Sequence, residues 1–383
     1  MPGQLQSLTG MTPEELSSRL AAMGQPAWRT RQVFTWVHAR LVTGFDGMTD
    51  LPAALRKSLA EEMIFTVPEV RERAQSPDGA RRLLLELRDG LPVEAVLIPG
   101  SKRITACLSS QIGCPLRCSI CRTGLAGFRR NLSSDEIVAQ FQALQRDCSP
   151  DRISNAVFMG MGEPLLNFAA VRDAMAVLTS PWGVGMGTRH ITVSTVGIPA
   201  GIDKLAQLPG QTGLAVSLHS AVEATRLLLV PASREWGLRE LHSAIRRYSS
   251  SVNRSVTLEY CLVEGVNDST GERDALTRFA RGLDCKVNII AYNEIEGLKW
   301  KRPTTAALRR FVSELRSAGV NAFERQSRGG SVQGACGQLG GPLLAAPQGT
   351  KERSAPTERP ERSSSPARSL PRGIHSGAKK TST

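Results

Sequence analysis

Alternating strand-like and helical patterns constrain this chain more than any other feature. Strand-like runs fall at residues 103–108, 154–159, 190–195, 213–218, 255–262 and 286–291. Helical signals fall between and after them, at 134–147, 167–179, 238–250, 272–281 and 304–318. Ser133 and Glu136 stand at capping-box spacing at the start of the first. Strands joined through helices run parallel, because the crossover returns the chain to the same end of the sheet. The sequence therefore predicts an α/β fold, a parallel sheet closed or partly closed into a barrel. Chemistry is expected at the C-terminal ends of its strands. Residues 1–65 read as a small helical accessory domain opened by Thr12-Pro13-Glu14-Glu15. Its second helix spans about 28–41 and its third begins near Leu51. Residues 66–100 read as a β-hairpin extension turning at Asp89-Gly90. The core runs over 101–341. Residues 342–383 are rich in Pro, Ser and Arg and read as a disordered basic tail.

Charge follows the same division. The net charge is +13, and residues 341–383 hold eight Lys/Arg against three Glu. The excess on the body favours a polyanionic partner. No apolar run nears the ~18 residues of a membrane span. The start, MPGQLQSLTG, lacks a secretory pattern. The chain is expected to be soluble and cytoplasmic, without a membrane partner. In a reducing compartment its eight cysteines suit metal binding or catalysis better than a disulfide framework.

Three of those cysteines follow the first core strand as Cys114-Pro-Leu-Arg-Cys118-Ser-Ile-Cys121. Zinc would need a fourth ligand, for which Cys107, His190 and His219 are candidates. A [4Fe–4S] cluster would keep one iron open. That iron can chelate the amino and carboxylate groups of S-adenosylmethionine (SAM) and reduce its sulfonium, a route to carbon radicals. After the second strand comes Met159-Gly160-Met161-Gly162-Glu163-Pro164. Its glycines allow close backbone approach to a ligand, and its carboxylate can receive an ammonium group. The cysteine loop, at the end of the first barrel strand, resembles the radical SAM superfamily. The GMGEP run resembles that superfamily's methionine-binding element.

Longer stretches resemble one family, the RlmN/Cfr RNA methyltransferases. They are CLSSQIGCPLRCSICRTGLAGFRRNLSSDEIVAQ (107–140), FMGMGEPLLN (158–167), TRHITVSTVGIPAGIDKLA (188–206), AVSLHSA (215–221) and RGGSVQGACGQLGG (328–341). The N-terminal helical unit resembles the family's accessory domain. The resemblance implies a partial (β/α)6 radical SAM barrel that methylates an adenine ring carbon. The implied target is C2 in 23S rRNA, tRNA or both, with C8, as in Cfr, the near alternative. A divergent paralogue acting on another RNA, and a non-catalytic zinc-stabilised RNA-binding protein, remain as further readings.

The resemblance also assigns residues. Cys114, Cys118 and Cys121 match the cluster ligands. Gly162, Glu163, Ser194, Ser217, Leu218, His219 and Asn293 match SAM-contacting positions. Cys336 matches the cysteine that carries the methyl group, Cys107 the resolving cysteine and Glu94 the proton acceptor. It implies a transient Cys107–Cys336 disulfide, reset by reductant. It implies an electron donor such as flavodoxin or ferredoxin, and the chain is expected to act as a monomer. The glycine-rich stretch around Cys336 is expected to be a mobile loop. Cys148, Cys261 and Cys285 read as packing residues. Arg117, Arg122, Arg129 and Arg130, with Lys299-Trp300-Lys301-Arg302, read as RNA-facing groups. The chain departs from the family pattern at Ser331-Val332, at Ala291 and Glu294, and after Pro231.

Overall fold

The computed structural model describes residues 5–345. Helix α1 (Pro13–Ala22) starts at Thr12, whose hydroxyl accepts the Glu15 N–H while the Glu15 carboxylate accepts the Thr12 N–H. Helices α2 (Trp28–His38) and α3 (Ala53–Glu62) follow. Helix α2 stops short of the expected residue 41, where Leu41 turns left-handed at φ 57°. Leu16, Leu20, Val33, Phe34, Val37, Leu55 and Leu59 bury one face of each helix in a core continuous with the rest of the chain.

Strands β1 (Glu69–Gln75), β2 (Arg81–Glu86) and β3 (Pro92–Pro99) form an antiparallel meander. The last two are the expected hairpin. The first carries Glu69, Arg71, Glu72 and Arg73, so it shows no apolar alternation. Its charges suit a sheet edge. The parallel strands are β4 (Ile104–Cys107), β5 (Asn155–Phe158), β6 (Ile191–Thr195), β7 (Gly213–Ser217), β8 (Val256–Leu262), β9 (Cys285–Ala291) and β10 (Ala322–Glu324). The sheet runs β1 to β10 in chain order, antiparallel up to β4 and parallel thereafter. Its two edge strands do not pair with each other, so the barrel is open. The six expected strands are all present, and β10 is an unexpected seventh. Helices α4 (Ser134–Asp147), α5 (Phe168–Thr179), α6 (Pro199–Ala206), α7 (Leu238–Val252), α8 (Thr270–Ala280) and α9 (Thr305–Ser317) fill the crossovers and cover the outer face. Of these only α6 was not signalled; a further short crossover helix, Glu223–Leu229, was not signalled either. No helix among the described residues is long and apolar enough to cross a membrane.

Side chains alternate across the strands. Val193, Val216, Leu258, Tyr260 and Ile289 face the helices. Cys107, Ser194, Ser217, Glu259, Cys261 and Asn288 face the interior cavities. The expected tail begins inside a short helix, Gly341–Ala345, where Leu343 is buried. The rest of the expected tail, 346–383, lies outside the described residues.

Ser109, just past β4, ties the layers together. Its N–H donates to Gln140 Oε1 of α4 at 2.9 Å, and Gln140 Nε2 donates back to its carbonyl at 3.1 Å. Its hydroxyl donates to the Glu94 carbonyl and accepts the Met161 N–H. Gln140→Leu would leave the buried Ser109 N–H and C=O unpaired, at roughly 1–3 kcal/mol each. Urea denaturation should therefore show a loss of roughly 2–5 kcal/mol; a loss below ~1 kcal/mol would contradict this role.

Candidate active site

The three-cysteine loop joins a short ribbon, Gln111–Gly113 paired with Phe128–Asn131, to a helical turn at Arg122–Leu125. Gly113 has φ +74°, and a Cβ there would lie 1.7 Å from the Gly127 carbonyl oxygen. Only glycine lets the ribbon close this tightly. Arg117 also turns left-handed, at φ 52°. Cys114, Cys118 and Cys121 line one cavity at the C-terminal ends of the strands. Burial pushes the Cys114 thiol up to about 12, and it also raises Cys118 and Cys121. The neighbouring cysteine charges add to the rise, so the thiolates need a positive centre. Among the described residues no three His, Cys, Asp or Glu side chains gather as tightly as one metal ion requires. The sulfurs border a space rather than a point. Behind them lies Arg226, only 2% exposed. It donates to the carbonyls of Ser217, Leu218 and Val196, while its Nε has no partner. Burial lowers its pKa to about 10, and the nearby Cys118 opposes that fall.

Glu163 faces the same cavity. Its oxygens accept the N–H groups of Leu165 at 3.1 Å and Val196 at 2.9 Å. Among the described residues no ion pair neutralises it, and burial pushes its carboxyl up to about 7. This desolvated acceptor suits an incoming ammonium group. Gly160 and Gly162 serve packing more than ligand approach. A Cβ at 160 would meet the Leu108 carbonyl at 2.8 Å, and one at 162 would meet Gln111 at 2.5 Å. Ser194, Ser217, His219 and Asn293 also line the cavity. The His219 ring is neutral, since burial lowers it to about 3. Its Nδ1 accepts the Cys261 N–H at 3.1 Å, which leaves the proton on Nε2. Leu218 does not line the cavity: its side chain is fully buried, its N–H donates to the Val216 and Glu259 carbonyls, and its carbonyl accepts Arg226.

Cys336 lines this cavity and also a second one, which Cys107 lines as well. The two cysteines, 229 residues apart in the numbering, thus meet across one space as free thiols. The Cys336 loop, expected to be mobile, is held at several points. Gly337 O accepts the Arg122 N–H at 2.8 Å, and Leu339 O accepts the Thr123 hydroxyl at 2.7 Å. Cys336 O accepts Asn293 Nδ2 at 3.1 Å. Glu94 is buried rather than solvent-facing, and lines neither cavity. Its Oε1 pairs with Arg82 and its Oε2 accepts the Gly340 N–H, each at 2.5 Å. Burial and the neighbouring Cys336 push Cys107 up to about 12, while Arg325 acts in the opposite direction.

The second cavity is basic, lined by Arg103, Arg189, Arg254, Lys286, Arg325 and Arg328 against the carboxylates of Glu259 and Glu324. The expected RNA-facing groups are partly consumed elsewhere. Arg122 is buried against Gln333 and Arg130 pairs with Asp89 and Glu136. The Trp300 ring N–H donates to Ser119 O at 2.9 Å. Cys261, expected only to pack, lines the cavity with the three-cysteine loop. Sequence reasoning missed Arg226, Glu259 and Arg325. The period of two along β8 marks Glu259 as inward-facing; no comparable signal marks the two arginines. At the departures, Glu294 accepts the Arg302 N–H while Arg302 contacts Asn293, and the Ser331 and Ser76 hydroxyls share a hydrogen bond.

Two family models match the chain. The family model described as "Ribosomal RNA large subunit methyltransferase N-terminal domain" matches residues 6–65, and "Radical SAM superfamily" matches residues 108–276. A "Probable dual-specificity RNA methyltransferase RlmN" of Akkermansia muciniphila is 41% identical over 340 residues, covering 87% of this chain and 94% of that protein. A protein of the same name from Chlorobium phaeovibrioides is 44% identical over 350 residues, covering 88% and 94%. The crystal structure of a radical SAM methyltransferase from Sphaerobacter thermophilus superposes with a TM-score of 0.84 at 41% identity, covering 87% of this chain and 98% of that one.

Glu163 gives a test with a defined sign. Its folded pKa, about 7, lies above its ordinary value of 4.5. Its stability contribution is therefore complete below pH 4.5 and is lost as pH rises to about 7. Relative to Glu163→Gln, the ligand-free protein should lose up to roughly 3 kcal/mol across that window in urea unfolding. A pH-independent difference would contradict the burial account.

Proposed function

The chain belongs to the RlmN family of radical SAM RNA methyltransferases, and from that premise we propose that it methylates adenine C2 in 23S rRNA and tRNA. One observation carries the reading. Three buried thiols, a desolvated carboxylate and the distant Cys336 all border one cavity at the strand ends. Cys114, Cys118 and Cys121 hold the [4Fe–4S] cluster. Glu163 receives the SAM ammonium group. Ser194, Ser217, Asn293 and the His219 Nε2–H position the rest of the cofactor, with Gly162 bordering the same cavity. When bound, cluster and SAM together supply the radical chemistry needed at a carbon that is a poor nucleophile.

The chain's own groups do the rest. Cys336, bordering both cavities, carries the methyl group between cofactor and base. Arg325 lies near both reactive cysteines, and its positive charge favours the Cys107 thiolate. At release, Cys107 attacks the Cys336 sulfur. A disulfide forms as the carbon–sulfur bond breaks, the electron pair stays on the former methyl carbon, which takes up a proton, and a thiol reductant restores both cysteines. Glu94 is the proton acceptor, a role that requires its contact with Gly340 to open. The basic cavity draws the RNA phosphates toward the cysteine pair. The target base must leave its stack to reach them. We place the enzyme in the cytoplasm as a monomer, served by a flavodoxin or ferredoxin.

Anaerobic purification should yield a brown protein with about four irons and four sulfides per chain; a colourless zinc protein would overturn the reading. With labelled RNA, Cys107→Ala should accumulate a covalent protein–RNA species on a denaturing gel, and Cys336→Ala should form none. Normal turnover by both variants would reject the two-cysteine scheme.

A further inference from the structure

We propose that Glu259, set by Arg325 and Asn288, recognises the exocyclic amine of the target adenine. The inference rests on the proposed RNA methylation. Glu259 lies mid-strand in β8 on the inward face, beside Thr257 and Cys261, while Leu258 and Tyr260 pack outward. Its side chain is 8% exposed. Oε1 is doubly occupied, by Asn288 Nδ2 at 3.0 Å and Arg325 Nη1 at 3.1 Å. Oε2 is buried with no partner. A pair serving structure alone would use both oxygens, since an unmet buried acceptor is costly. The other half of the pair is also incomplete. Arg325 Nη2 has only the Met159 sulfur at 4.0 Å, a weak acceptor.

An unpartnered buried carboxylate oxygen thus belongs to the same ion pair as a guanidinium nitrogen that has only a sulfur contact. Adenine presents the complement, an amine donor next to a ring-nitrogen acceptor. The placement favours the RNA base over the adenine of SAM. Glu259, Arg325 and Cys336 border both the cofactor cavity and the basic cavity that holds Cys107. A base there lies between the cysteine that delivers the carbon and the one that releases it.

The test uses the full, cluster-loaded chain and RNA hairpins carrying either adenosine or purine ribonucleoside, which lacks the amine, at the target position. Wild type should prefer adenosine in kcat/KM by roughly 10–100-fold, as sites that bond a substrate group reject analogues lacking it. Glu259→Met should bring that ratio within about 3-fold, and Glu259→Gln, which keeps one carbonyl acceptor, should retain part of it. Comparing ratios cancels the intrinsic reactivity of the two bases and any general loss of folded protein. Equal use of both RNAs by wild type, with no change of the ratio in Glu259→Met, overturns the proposal. An unchanged ratio in Glu259→Met overturns it too. A ratio that holds while SAM binding weakens ~10-fold or more assigns the carboxylate to the cofactor's adenine and overturns it. If wild type methylates neither RNA, the proposed function fails first and this inference falls with it.

Discussion

The whole site depends on the docking of the Cys336 loop onto the three-cysteine loop. The two segments are some 200 residues apart, yet Arg122, Thr123 and Gly337–Gly340 are joined by backbone and side-chain bonds. The approach is close enough to demand glycine. A Cβ at Gly337 would meet the Ile120 carbonyl at 3.0 Å, and one at Gly340 would meet Thr123 at 3.0 Å, with both backbones left-handed. Glu94 completes the clamp from the hairpin side by accepting the Gly340 N–H. Without this contact Cys336 would have no fixed relation to the cofactor cavity or to Cys107.

The groups gathered there share one physical condition. Burial holds Glu163, His219, Cys107 and the three loop cysteines toward their neutral forms. A bound ammonium would favour the ionised Glu163, and a bound metal cluster the loop thiolates. Buried Arg226, lowered only to about 10, and half-buried Arg325 stay charged at neutral pH. They place positive charge beside the cluster cysteines and beside the reactive pair.

Much of this was legible in the sequence. The six core strands and the helices over 134–147 and 304–318 follow from clean periodicity, since each buries one continuous apolar face. The three-cysteine loop and Glu163 stood out through residue chemistry at fixed spacing. Strand β1 did not, because an edge strand of alternating charges has no hydrophobic signal. Helix α6 is too short for a helical period to register. Arg226 resembles any surface arginine until the fold buries it, and Cys261 resembles a core residue until the sheet turns it inward. In the basic runs Arg122, Arg130 and Trp300 are engaged by partners outside those runs, which the runs themselves do not announce.

The most direct measurement is nucleoside mass spectrometry of RNA incubated with the cluster-loaded chain, SAM and a low-potential reductant. The account predicts 2-methyladenosine, formed with wild type and absent with Cys336→Ala. A methyl group at adenine C8 or on a nitrogen, or 2-methyladenosine that persists without Cys336, would contradict it.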